Sequence, residues 1–311
     1  MAINIPPRKN SKHLIHPKYR ADIDGLRAIA VLLVVTYHAF PSLVKGGFIG
    51  VDIFFVISGF LISTIIFESL ERNSFSFVEF YSRRIRRIFP ALLLVLIASY
   101  VFGWFALYAD DYKQLGKHIA WGAGFVSNFV LWNETGYFDN AAETKPLLHL
   151  WSLGIEEQFY IIWPLLLWFA WKQRMNLLII TIAFALISFA LNIGKVRSDT
   201  IAAFYSPQTR FWELMAGSIL AYVTLYKQNI FPSFKERFDT SLCSIIRVRV
   251  LQANGMMLSN IQSMVGALLI AIGILVITDR EPFPGWRALL PVAGAGLIIS
   301  AGCQSASKTF H

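Results

Sequence analysis

The chain has 311 residues, of which 56% are hydrophobic, 15% aromatic and 15% charged, with a formal net charge of +9 and a mean hydropathy of +0.54. Soluble domains are roughly half apolar and about a quarter charged, so these figures exclude an ordinary soluble enzyme and a disordered chain. They describe an all-α, polytopic membrane helix bundle, and the surplus of Lys and Arg reads as charge held in cytoplasmic loops, with no nucleic-acid partner.

In chain order, residues 1–24 form a basic tail with Arg8, Lys9, Lys12, Lys18 and Arg20. No short apolar core with a cleavage site follows, so the tail reads as cytoplasmic rather than as a signal peptide. Segments of spanning length follow at 25–44, 48–70, 88–108, 149–171, 176–193, 209–226, 258–277 and 287–303. A ninth apolar stretch, 118–132, is short and rich in small residues, and it precedes acidic residues Glu134, Asp139 and Glu143. If 118–132 is re-entrant, every basic loop falls on the side of the tail, as the positive-inside rule favours. The two cysteines, Cys243 and Cys303, offer neither a disulfide framework nor metal-ligand spacing, and no metal site is expected.

Ionisable side chains within membrane segments are costly and mark sites. Arg27 and His38 lie eleven residues apart on the first segment, which returns nearly to the same helical angle about 16 Å further along. Histidine at the outer end suits a general base, and a hydrogen-bonded core histidine is the plain alternative. Asp52 opens the second segment at the depth of His38 and is expected to orient the imidazole, with a dipole-favoured helix start as the alternative. Arg83, Arg84, Arg86 and Arg87 carry two overlapping R-x-x-R spacings in what reads as a loop before Pro90. They suit phosphates, or serve topology alone. Glu156 and Glu157 lie two turns into an apolar span, where one can face a cavity and the other a neighbour. Arg210 and Glu213, at i and i+3, read as a structural pair, as do Asp24 and Arg27, with Asp24 also capping the first helix. The glycines of 46–60 lack the context of a phosphate loop and read as points of close helix approach.

The run Tyr19–Val31 followed by His38, with ten residues between Arg27 and His38, resembles the first helix of integral-membrane acyltransferase family 3, of the O-antigen and surface-polysaccharide O-acetylase type. The resemblance continues through Gly47 to Leu61, the arginines before Pro90, Pro146 to Pro164, and Arg210 to Ala216, covering residues 19–303. It implies a multi-pass enzyme of the bacterial inner membrane with a cytoplasmic N-terminus. Residues 25–303 would be the acyltransferase domain and 304–311 a short tail. The activity implied is transfer of an acyl group, expected to be acetyl, from acyl-CoA to a hydroxyl of a surface glycan such as lipopolysaccharide O-antigen or a lipid-linked saccharide. Acyl-CoA is then a donor substrate, with no tightly bound cofactor and membrane lipid as the surroundings.

The resemblance assigns His38 the catalytic role with Arg27 as its motif partner, supported by Asp52, Glu156 and Glu157, and gives Arg83, Arg84, Arg86 and Arg87 the acyl-CoA contacts. Family members usually continue into a further helix, so the chain is expected to be a C-terminally truncated member. A transporter or acyl-exporting subunit, or an inactive remnant, are the competing readings.

Overall fold

A computed structural model of the chain describes residues 20–134, 145–226, 256–278 and 281–302, all helix and turn. The tail 1–19, Asp139 and Glu143, the basic stretch 227–249, both cysteines and 304–311 lie outside the described residues. The helices are α1 (Ala21–Ala39), α2 (Gly50–Glu71), α3 (Phe77–Ala106), α4 (Ala109–Ala123), α5 (Ser127–Glu134), α6 (Leu150–Lys172), α7 (Leu177–Lys195), α8 (Thr200–Tyr205), α9 (Pro207–Tyr226), α10 (Met256–Val276) and α11 (Leu289–Gly302).

Five helices meet the length and hydropathy of a membrane span by composition alone: Gly47–Glu71, Phe77–Ala106, Leu177–Lys195, Met257–Val276 and Gly285–Gly302. Helices α1, α6 and α9 have 19, 23 and 20 residues, long enough for roughly 30 Å of hydrocarbon, and their ionisable residues lower their mean hydropathy. The stretch 118–132 breaks at Gly124–Val126, where Phe125 takes a left-handed φ of 57°. The 15-residue α4 and 8-residue α5 on either side are each too short to cross, in keeping with the non-spanning path.

Helix α2 is the axis of the bundle. Phe55, Ile62, Ile66 and Phe67 are fully buried, and the helix packs against α1, α6, α9 and α11. Its seam with α9 is main chain on main chain. A methyl on Gly59 would meet the backbone of Leu214, and one on Gly217 would meet the backbone of Val56 and Phe60. Close backbone approach of this kind is how helices associate where lipid removes the hydrophobic incentive. Outward, Leu94, Phe102 and Phe105 of α3, Ile179 and Leu186 of α7 and Leu275 of α10 are exposed, an apolar exterior suited to acyl chains.

Two local starts differ from the sequence reading. Helix α1 begins at Ala21, so Asp24 lies inside the first turn, pairing with Arg27 at 3.4 Å, and caps nothing. Helix α3 begins at Phe77, because the Ser76 side chain accepts from the Glu79 amide at its N-terminus. The four arginines therefore sit on a helix and not in a loop. At 30 residues, about 45 Å, α3 outlasts the hydrocarbon, and its charged first turns form the excess.

The chain order sorts the connections into two ends. Arg20 donates to the Ile299 carbonyl at 2.7 Å, tying the start of α1 to the last turns of α11. Arg72, the first turns of α3 and Arg174 share this arginine end. At the opposite, histidine end lie the turn after α1, α4, α5, α8 and Gly285–Ala288.

Candidate active site

His38 occupies the last turn of α1. Its Nδ1 lies 2.8 Å from the Val34 carbonyl. A carbonyl only accepts, so Nδ1 carries the hydrogen and Nε2 is left as the basic nitrogen. The side chain opens into a cleft of about 690 Å³ lined by Tyr37, His38, Val95, Lys145, Leu148 and His149. The His149 ring stands 4.3 Å from the His38 ring, centroid to centroid. His149 is the residue before α6.

Beside the cleft, Glu134 gathers three basic side chains: Lys117 at 2.6 Å, His118 at 3.1 Å and Lys145 at 3.2 Å. Burial acts to raise this carboxyl, but the lysines and His118 outweigh it and hold it below the ordinary glutamate range. The contacts tie α4 to the end of α5 and to the segment leading into α6.

Asp52 does not orient His38. Its carboxylate meets Arg210 at 3.2 Å, and Arg210 meets Glu213 at 3.0 Å, with no exposure of any of the three side chains. Four rings surround the guanidinium, Phe55, Trp151, Phe204 and Phe283, at 5.3–5.8 Å from their centroids. The expected Arg210–Glu213 pair is present, and Asp52 joins it because Gly59 and Gly217 let α2 and α9 approach backbone to backbone. Trp151 follows His149 by two residues, so the cluster braces the start of α6.

Glu156 lies about 10 Å below His149 along α6. Its Oε2 accepts from Ser58 Oγ at 2.8 Å and from the Tyr160 hydroxyl at 2.9 Å. Arg84 stacks on the Tyr160 ring at 4.8 Å and on Phe80 at 5.7 Å. Glu157 is buried, and among the described residues its Oε1 has no hydrogen-bond partner. Neither glutamate is paired with His38. Instead they build a polar patch midway between the two ends, within electrostatic range of Arg84, and for Glu156 of Arg27 also.

Of the two R-x-x-R spacings, the one that begins at Arg84 reaches this patch through Arg84, while its second member, Arg87, is exposed with its charge near that of Arg84. Arg83 is exposed and engaged by Glu79 at 2.7 Å, and Arg86 is exposed. Sequence reasoning passed over His149, Ser58, Tyr160 and Lys145. The available signals were a second histidine seven residues before Glu156, and a tyrosine four residues after it on the same helical face.

The family described as "Acyltransferase domain" matches residues 20–309. The peptidoglycan O-acetyltransferase OatA of Listeria monocytogenes is 40% identical over 213 residues, 66% of this chain and 34% of that protein. The putative peptidoglycan O-acetyltransferase YrhL of Bacillus subtilis is 38% identical over 216 residues, 67% of this chain and 34% of its own. An uncharacterized protein of Haemophilus influenzae is 34% identical over 264 residues, 82% of this chain and 98% of its own. The chain thus spans about a third of the length of the first two. No solved structure matches.

Proposed function

This chain belongs to the acyltransferase-domain family, and from that premise we propose that it is a membrane O-acyltransferase moving an acetyl group from acetyl-CoA to a hydroxyl of a bacterial surface glycan. The observation that carries this reading is the 2.8 Å contact of His38 Nδ1 with the Val34 carbonyl, which commits Nδ1–H there and leaves Nε2 as the basic nitrogen in an open cleft.

The donor side of the reading rests on the arginine end. Arg84 and Arg87, with Arg27 nearby, offer guanidinium groups for the phosphates of acyl-CoA. The thioester arm then runs past Ser58, Glu156 and Tyr160 toward the histidines. His38 Nε2 takes the proton of a sugar hydroxyl as its oxygen bonds to the acyl carbon. The carbon–sulfur bond breaks, and the same proton passes from His38 to the departing thiolate, leaving an ester and free CoA thiol. With acyl-CoA supplied from the cytoplasm, the arginine end and the N-terminus face inward and the histidine cleft faces outward, in the bacterial inner membrane. The names of two relatives make peptidoglycan strands the first acceptor to test and O-antigen the second.

Membranes holding the chain are to be given labelled acetyl-CoA with either acceptor. Base-labile label on the glycan, lost in His38→Ala while that variant still inserts, is the expected result. Undiminished labelling by His38→Ala would remove the mechanism.

A further inference from the structure

We propose that His149 is a second catalytic imidazole, whose ring N–H donates to the acyl carbonyl oxygen while His38 removes the acceptor proton. The proposal rests on the acyl-transfer reading above and supplies what His38 alone lacks, a group that meets the negative charge developing on that oxygen.

Three observations support it. The rings are 4.3 Å apart and share one cleft, so a carbonyl carbon attacked by an oxygen beside His38 has its own oxygen within reach of His149. Among the described residues, neither ring nitrogen of His149 has a hydrogen-bond partner, although His38 Nδ1 is committed to Val34. The backbone that carries the ring is also anchored. It precedes a helix whose second residue, Trp151, packs on Phe204 at 4.5 Å and on the buried Arg210 cluster. Preorganised donors of this kind are the larger part of many acyl-transfer accelerations.

The ring separation also divides the roles: a positive charge on His38, 4.3 Å away, repels a second proton from His149. The other titratable groups facing the pair are Tyr37 on α1 and Lys145 before α6, and Lys145 is engaged by Glu134. Val95 and Leu148 add apolar surface to the lining of the cleft.

The sugar oxygen adds to the carbonyl carbon as its proton moves to His38 Nε2. The carbonyl becomes an oxyanion held by the His149 N–H. On collapse the carbon–sulfur bond breaks, the carbonyl re-forms, and His38 returns the proton to the thiolate.

The experiment compares the full chain in membranes with His149→Phe, His149→Gln and His149→Asn, with His38→Ala alongside, using labelled acetyl-CoA and the acceptor glycan. Phe keeps the ring and loses the donor, while Gln and Asn keep an N–H near one or other ring nitrogen. His149→Phe is expected to lower kcat about 100- to 1000-fold, the cost of one oxyanion donor, with the acceptor KM little changed. At least one amide variant should recover tenfold or more over Phe. Thermal melting in detergent establishes that each variant is folded. In a second measurement, histidine NMR titration of the parent and of His38→Ala should place His149 lower in the parent. A folded His149→Phe with parental kcat overturns the inference, as does failure of both amides to exceed Phe, or a His149 titration indifferent to His38→Ala. Absence of transfer by the parent removes the acyl-transfer reading and this inference with it, whereas transfer lost in His38→Ala but kept in His149→Phe removes the inference alone.

Discussion

Arg210 Nη2 lies 3.2 Å from Asp52 Oδ1, and neither side chain has any exposure. With Glu213 the cluster gathers one guanidinium and two carboxyl groups inside an aromatic cage. Burying charge is tolerable only when it is compensated. The charge count ranks the substitutions: loss of Arg210 leaves two uncompensated acids, and loss of the Asp52 charge leaves a balanced pair. Arg210→Met is expected to destabilise by about 3–5 kcal/mol, the usual cost of breaking a buried pair. Asp52→Asn should cost clearly less. Combining Arg210→Met with Asp52→Asn and Glu213→Gln should recover much of the loss. Melting temperatures in detergent decide this, and an Arg210→Met protein as stable as its parent would contradict the account.

The α2–α9 seam makes a second prediction. A methyl at Gly59 would collide with the backbone of Leu214, which has no soft side chain to yield, whereas Gly25 of α1 has open space around it. Gly59→Ala should destabilise by about 1–3 kcal/mol through overpacking, and Gly25→Ala should stabilise by up to about 1 kcal/mol through helix propensity. Opposite signs in the melting shifts are the expected result. A destabilising Gly25→Ala or a neutral Gly59→Ala would mean the seam is looser than described.

These two features mark the boundary of what the sequence made legible. The eleven-residue step from Arg27 to His38 fixes both their common face and their separation, and α1 keeps them at opposite ends, Arg27 with Asp24 and His38 in the cleft. A short connection likewise fixes the depth of Asp52. It does not fix the direction of Asp52, because α2 is buried on nearly every side and its neighbours come from distant parts of the chain. For the adjacent pair Glu156 and Glu157, spacing says that they diverge, but only Ser58 and Tyr160 decide which one is hydrogen-bonded. The arginines read as a loop in the sequence because charge interrupts the hydropathy. The Ser76 and Glu79 cap carried the contrary signal, since it starts a helix well before the apolar run begins.

Placing the arginines on a helix separates their roles. Arg84 turns toward Tyr160 and the glutamates, while Arg83 is spent on Glu79 at the surface. Arg84→Ala is expected to raise the KM for acetyl-CoA about 10-fold or more, the worth of a charge-assisted hydrogen bond. Arg83→Ala should change it by less than about threefold, in line with an exposed helical pair. Arg84→Lys should fall between, because lysine restores the charge without the fork. Equal effects at 83 and 84 would show that the helix face does not select the donor contact.

Glu134 provides a test in pH. Burial alone would raise its carboxyl above the ordinary value of 4.5, but Lys117, His118 and Lys145 outweigh burial and hold it lower. An acid with a depressed folded pKa binds fewer protons in the folded than in the unfolded chain as the pH falls. Its contribution is therefore complete above the ordinary value and is lost as the pH drops through the folded value. The melting-temperature gap between the parent and Glu134→Gln should be full at neutral pH and should narrow as the pH falls below about 4.5. Because every other carboxyl titrates in both proteins, the difference isolates this one. A gap constant down to the acid limit would mean that the lysines do not stabilise the Glu134 charge. Their convergence beside the His38 cleft would then owe nothing to that carboxylate.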